Sequence, residues 1–479
     1  MRGKLKPGAI ALAIGATAAT LVACSDRLTV PNFQNPTVDG ISADPLAAIP
    51  LLATGVLRDD RGAMVTYIRD VGILGREVYN YTPTEGRNTS GYLTSDVNNQ
   101  ASFGATSGGG FASQYFTVRD AFNTLTVLDA SGSAFTDAQK SALKGLMHTQ
   151  VALALLYVIN TRHNLGAPVE VSSDATKLFP FVPRDSVFSF ISGTLNSAQT
   201  ELAAGGTAFP FTLPSGYTGF TTPANYAKFN RALAARVYAY RASLGASGCG
   251  AARSAACYQL ALTALGSSFI DPAGSLTLGV YDVYSAASGD LANSNANQAT
   301  VNVVAHAKSD SGILNKADGN PDNRFTNKFL KLSAPKQPPT TVSAVPTNWD
   351  YKIYDARTDP VAVIRNEELI LLRAEARYYT GDQTGALADI NTIRTRSGGL
   401  DARGAFTSES DFLDELLYNR RLSLSFEGHR WIDMRRFGRL NLLTKDKADH
   451  VIATQLPVPQ NECLARASAA TELKGPGCS

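Results

Sequence analysis

Near the C-terminal end, apolar residues recur every three or four positions. Leu369, Leu372, Ala376 and Tyr379 fall on one side of a helix, with charged residues between them. Asn366 is placed to cap its start, and Glu367 and Glu368 sit in the first turn, where the helix dipole favours negative charge. Gly381 can take the left-handed conformation that ends it. After Gly381-Asp382, residues Leu387, Ile390 and Ile393 mark a second helix, and so short a turn requires antiparallel packing. Small residues, then Gly-Asp, then Ala-Leu form the pattern of a tetratricopeptide hairpin. A third helix follows Ser408, which with Asp411 has the spacing of a capping box. Its buried stripe is Phe412, Leu413, Leu416, Leu417 and Leu424.

The same period marks earlier helices. Leu46 to Tyr67 carries Leu51, Leu52, Val56 and Leu57, and Arg119 to Leu128 is a second helical stretch. Thr136 with Gln139 makes a capping box ahead of Leu143, Met147, Val151, Leu155 and Val158. Pro183 opens a helix striped by Val187, Phe188, Ile191, Leu195 and Leu202. Thr222 and Pro223 are cap and first-turn residues for Tyr226 to Leu244, whose partner is Cys257 to Leu265. With the Leu369 hairpin, this predicts about four helix pairs, enough for a stacked scaffold of at least ~3 repeats.

Two stretches break the pattern. Tyr79 to Gly110 holds Tyr79, Tyr81, Arg87 and Tyr92 among Asn, Ser, Thr and Gly, and is expected to be loop. Asp271 to Trp349 is irregular as well, with Tyr281, Tyr284 and Trp349. Aromatic residues on loops either plug the loop onto the core or form a flat stacking platform for a ligand. The expected ligand-binding residues are Tyr79, Tyr81, Arg87, Tyr92, Tyr281, Tyr284 and Trp349. Asp318, Asn320 and Asp322 alternate as at the start of a calcium loop, but the Gly and Glu that an EF-hand needs are missing, so an Asx-rich turn is expected and no metal site.

At the N-terminus, Arg2, Lys4 and Lys6 precede an apolar run from Ala9 to Ala23, too short to span a membrane and laid out as a secretory signal. It ends Leu21-Val22-Ala23-Cys24, which looks like a lipobox, with lipid expected on Cys24 after cleavage. The expected organisation is a signal peptide over 1–23, a tether over 24–45 and one body over 46–479, with halves of about 46–330 and 331–479. Without residues 1–23 the chain carries 41 basic and 41 acidic residues, which argues against a binder that tracks nucleic-acid phosphates. Cys249 with Cys257 and Cys463 with Cys478 form two close pairs, suggesting disulfides in an exported protein, with four unpaired thiols as the alternative.

The order AEARYYTGD, INTIRTRSGG, RRLSLSFEGHRWIDMRRFG resembles the SusD/RagB family of outer-membrane lipoproteins. Phe426 to Trp431, Asp433, Arg435 and Arg436 carry the most specific part, and LPVPQNE at Leu456 to Glu462 is similar to the family's closing segment. The family usually has acidic residues where this chain has Asn419 and Ser423, which puts the charge pairing along that helix in question. The resemblance implies a mostly α fold: a tetratricopeptide-like helical scaffold with long irregular loops that carry the ligand. It implies an outer-membrane, surface-exposed lipoprotein that captures an oligosaccharide or a peptide for a TonB-dependent outer-membrane transporter, without catalysis or cofactor. It also makes the cluster of Glu427, Arg430, Asp433 and Arg435 over Trp431 a structural network, with His429 part of it.

Catalytic chemistry has little support. The histidines His148, His163, His306, His429 and His450 are not paired at metal-ligand spacing, and no phosphate loop, dinucleotide fingerprint or nucleophile elbow occurs. Two alternatives remain open: a helical-repeat scaffold lipoprotein of the envelope with no small ligand, and a surface glycosidase using a carboxylate pair.

Overall fold

The computed structural model describes residues 44–102, 108–172, 174, 176–246, 248–297 and 302–478. The leader and Cys24 lie outside them. Asp44 caps the first helix by accepting the amide of Ala47 at 3.3 Å, and Pro45 occupies the first turn, where its missing N–H costs nothing. In chain order the elements are α1 (Pro45–Leu74), β1 (Val78–Asn80), α2 (Arg87–Leu93), α3 (Phe111–Ala130), α4 (Asp137–Arg162), α5 (Arg184–Ala203), α6 (Pro223–Leu244) and α7 (Ala255–Gly266). There follow β2 (Gly279–Asp282), β3 (Val303–Ala305), α8 (Asn323–Lys328), β4 (Phe329–Lys336), β5 (Thr347–Tyr351), β6 (Val361–Arg365), α9 (Asn366–Tyr379), α10 (Gln383–Arg396), α11 (Glu409–Ser423), α12 (Arg430–Arg436) and α13 (Gln460–Ala465).

The fold is mostly α. The largest helix–helix interfaces are α4 with α5, α1 with α3, α6 with α7 and α9 with α10. Strands add only three two-stranded antiparallel ribbons, β1 with β3, β2 with β6 and β4 with β5. One apolar core runs continuously from Ile49 to Leu456. Helix α4 lies at its centre: it is long and apolar enough to cross a membrane, but 89% of its apolar window is buried inside the protein.

Local chemistry explains the boundaries. Thr136 and Gln139 exchange both bonds of a capping box, and Thr222 accepts the amide of Asn225. Gly381, at φ 91°, ends the α9 turn, and Asp382 caps α10 by accepting the amide of Gly385 at 2.8 Å. Ser408 caps α11, but Asp411 turns away to bond Arg403 and Thr407, so only half of the expected box forms. The cap of α9 is Arg365, not Asn366. Asn366 instead holds the 271–275 loop, donating to the carbonyls of Asp271 and Ser275 and accepting the amide of Asp271.

The 79–110 stretch is more regular than expected. Its described residues contain β1, α2 and three short 3-10 turns, at Pro83–Glu85, Ser95–Asn98 and Gly108–Gly110. Cross-chain bonding overrides its turn-rich composition: Thr89 accepts the amide of Asn80 and donates to its carbonyl. The 271–349 stretch likewise holds β2, β3, α8, β4 and the start of β5. Asp318 accepts the amide of Asn320 in a turn closed by the Asn315–Pro321 bridge, as an Asx turn does.

Both cysteine pairs are joined: Cys249 to Cys257 across the α6–α7 connection, and Cys463 to Cys478 at the C-terminus. Where α1 meets β2, Asp60 and Asp282 are buried, and neither Asp60 oxygen has a hydrogen-bond partner among the described residues. Burial, then the charge of Asp59, pushes the Asp60 carboxyl up to about 7, and burial beside Asp60 lifts Asp282 well above the carboxylate range.

Candidate functional site

The structure divides the expected ligand-binding residues among separate places. Tyr79, Tyr81 and Tyr92 are completely buried. The Tyr79 and Tyr81 rings stack on each other at 5.6 Å. The Tyr79 hydroxyl donates to Asp446 at 2.6 Å, beside His306, which contacts the same carboxylate at 2.7 Å; Tyr81 donates to the carbonyl of Val345. Tyr284 is buried and donates to the carbonyl of Arg61. These four rings plug the connecting segments onto the core, the packing reading of loop aromatics, and as placed they present no open face. Tyr79 lies on β1, which pairs with β3 in the core; Tyr81 directly follows that strand, Tyr92 is on the buried side of α2, and Tyr284 follows β2.

The other three residues keep exposed surface but do not converge. Arg87 is exposed and chelates Glu85 with two bonds of 2.7 Å. Tyr281 is half-buried beside Gly216, with its hydroxyl on the carbonyl of Thr277. Trp349 is half-buried on β5, edge-on to Phe325 at 4.9 Å and under the Lys331 ammonium at 5.9 Å.

The FEGHRW segment forms a closed ion-pair network. Arg420 and Arg436 grip the two oxygens of Asp433 at 2.7 and 2.9 Å, and Arg436 also pairs with Glu375. Arg236 binds Glu368 at 2.6 Å, and Arg365 bridges Glu367 and Glu427. Burial would raise the Asp433 carboxyl, but the two guanidiniums outweigh it and hold it below its ordinary value. By the same balance, Arg365 and Lys328 hold Glu367 down to about 2. Trp431 is fully buried and donates to the carbonyl of Ala453 at 2.9 Å; His429 is buried against Tyr240. The substitutions at 419 and 423 fit this network. Arg324 donates to Asn419 Oδ1 at 2.8 Å and to Ser423 Oγ at 3.1 Å, while its charge is already matched by Asp322 at 2.6 Å.

A concave site with open aromatic faces lies elsewhere, where α3, the 168–179 segment and α13 meet. This groove encloses about 310 Å³, at the lower end of the range of about 300–1,000 Å³ for small-molecule sites. Gly110, at φ 69°, starts α3 so that Phe111, Tyr115 and Phe116 fall on its first turns. Phe111 is held by the Arg162 guanidinium at 4.8 Å and packs on Tyr115 at 4.9 Å. Tyr115 donates to the carbonyl of Pro168 at 2.7 Å, which fixes the opposite wall, and burial lifts its hydroxyl well above the usual range. Phe116 remains 59% exposed, and Phe179 lies across the groove under the Lys177 ammonium at 5.1 Å. Arg466 braces the floor, bonding Glu462 and the carbonyls of Phe179 and Leu473.

Arg119 completes the groove. Its Nε is buried without a hydrogen-bond partner, and among the described residues no ion pair forms on its guanidinium. Rings at 111, 115 and 116 followed by a cation at 119, all within one helical turn or two, are the sequence signal for this site. The helix expected over Arg119 to Leu128 starts too late to include the rings, which is why they did not stand out.

A sequence model of the SusD family matches residues 341–471. No curated protein matches the sequence. Among solved structures, a SusD superfamily protein from Bacteroides vulgatus aligns with TM-score 0.64 at 15% identity, covering 88% of this chain and 97% of its own. NanU of B. fragilis aligns with TM-score 0.64 at 15% identity over 93% of this chain and 100% of its own. A SusD superfamily protein from Bacteroides thetaiotaomicron gives TM-score 0.62 at 17% identity over 88% and 98%. These likenesses concern the fold. The sequence match spans β5, β6 and the α9 to α12 network, so the SusD family's sequence signature and a SusD-like fold meet in this part of the chain.

Proposed function

We propose that this protein is a nutrient-binding lipoprotein of the SusD type, anchored in the outer membrane and exposed at the cell surface. It captures an oligosaccharide, or a peptide, and passes it to a partner TonB-dependent transporter, with no chemical step of its own. The match to the SusD family supports the binding role, and the α3 groove is the observation that carries it: open aromatic faces and an unpaired guanidinium on a rigid helical frame. Phe116 and Phe179 supply contact area, and Arg119, Lys177 and Asn461 supply orientation.

The test is extraction of the tagged protein from native outer membrane in mild detergent, followed by glycan and peptide binding screens on the purified protein. Recovery of a large β-barrel transporter in near-equal amount, with saturable ligand binding lost in Phe116→Ala, is the expected result. Recovery with soluble envelope proteins alone, and no ligand from either screen, would replace this reading with the scaffold one.

A further inference from the structure

The groove has a charge preference. Five charged side chains line it: Arg119, Lys177, Arg466, Glu170 and Glu462. Arg466 and Glu462 cancel, joined at 2.7 Å. Lys177 and Glu170 are exposed on the same segment, so water screens both. Arg119 is different. Its side chain is half-buried, lines the groove, and forms no ion pair among the described residues. A guanidinium without a carboxylate partner presents a planar fork that matches a carboxylate with two parallel bonds. The neighbouring acid does not occupy this fork: Asp120 forms no ion pair with it among the described residues, and burial with Asp59 raises the Asp120 carboxyl to about 6 against the opposing pull of the Arg119 charge.

Resting on the binding role proposed above, we infer that the ligand of this groove is an acidic oligosaccharide, with a uronate carboxylate on Arg119 and a pyranose face on Phe116. The aromatic faces favour a saccharide over a peptide. Phe116 stands 59% exposed and Phe179 half-buried across from it, so the groove offers flat, open surfaces and not deep side-chain pockets.

The experiment is calorimetric titration of the folded protein with oligogalacturonates, oligoglucuronates and alginate oligomers. The same oligomers with their carboxyls reduced to alcohols serve as neutral counterparts, and acidic peptides complete the panel. The expected result is binding of at least one acidic oligomer, about tenfold or more tighter than its neutral counterpart, the scale of one charge-assisted pair. Arg119→Gln should bring the two affinities together, and Phe116→Ala should weaken both. A neutral oligomer that binds as well as its acidic parent, or a preference that survives Arg119→Gln, overturns the inference and leaves the binding role standing. Binding of acidic peptides alone overturns the saccharide assignment. No binding anywhere in the panel overturns the inference, and the unbiased glycan and peptide screen then decides the binding role separately.

Discussion

Arg436 on α12 is fully buried and holds two carboxylates, Glu375 and Asp433. Arg119 on α3 borders an open groove and holds none. In the C-terminal network, charge is consumed internally. Arg236, Arg365, Arg420 and Arg436 each hold a carboxylate there, so much of the cost of burial is offset, although both terminal nitrogens of Arg420 stay buried without a partner among the described residues. At the groove the offset is missing, and a ligand can supply it. The part of the chain that carries the family signature is therefore frame, while the groove keeps a cation open to a ligand.

Four perturbations test that contrast. The largest effect should come from Asp433→Ala, which strands Arg420 and Arg436 in the core. Breaking a buried pair costs about 3–5 kcal/mol, so chemical denaturation should show a large loss of stability. Tyr81→Ala comes next. Removing a completely buried ring should cost about 3 kcal/mol, read by the same denaturation curve, with ligand affinity of the still-folded fraction unchanged. A loss of affinity with stability intact would return Tyr81 to the binding site.

The third is a pH effect. The Asp60 carboxyl is raised to about 7, so the fold favours its neutral form. Its stabilisation is present below the unfolded value near 3.8 and is lost as pH rises through 7. Asp60→Asn, which fixes the neutral form, should therefore stabilise the protein at pH 8 by about 2 kcal/mol and flatten the decline between pH 4 and 7 in thermal melts. The smallest effect on stability belongs to Phe116→Ala. This exposed ring should shift stability by no more than about 0.5 kcal/mol, while ligand affinity falls by about 1–3 kcal/mol in calorimetry, as for one lost stacking contact.

The helical frame was legible because its signals are local. Caps at Thr136, Thr222 and Ser408 and the stripes between them sit within a few residues of one another. The ion-pair network was legible only as a motif. Its partners are far apart in the chain, as Arg236 is from Glu368, and no spacing reveals them. The loop aromatics show the limit most clearly. Tyr79 looks like a residue free for ligand until β3 and Asp446 close over it, and both lie hundreds of residues away. The groove was missed for another reason: the helix expected from Arg119 begins at Phe111, so Phe116 fell outside the periodic stretch, and only the tertiary structure shows its ring exposed.

The Cys463–Cys478 bond lies next to the groove, outside its lining. Cys463 is on α13, next to the groove residue Glu462, and Gln100 reaches both its sulfur and the carbonyl of Gly477. The C-terminal segment is thus clasped back onto α13. In a reducing compartment the clasp would be open, leaving Arg466 to hold this end of the chain through the carbonyls of Phe179 and Leu473. The tie between α13 and the last residues is therefore an oxidation-dependent one, made only after the chain has left a reducing compartment.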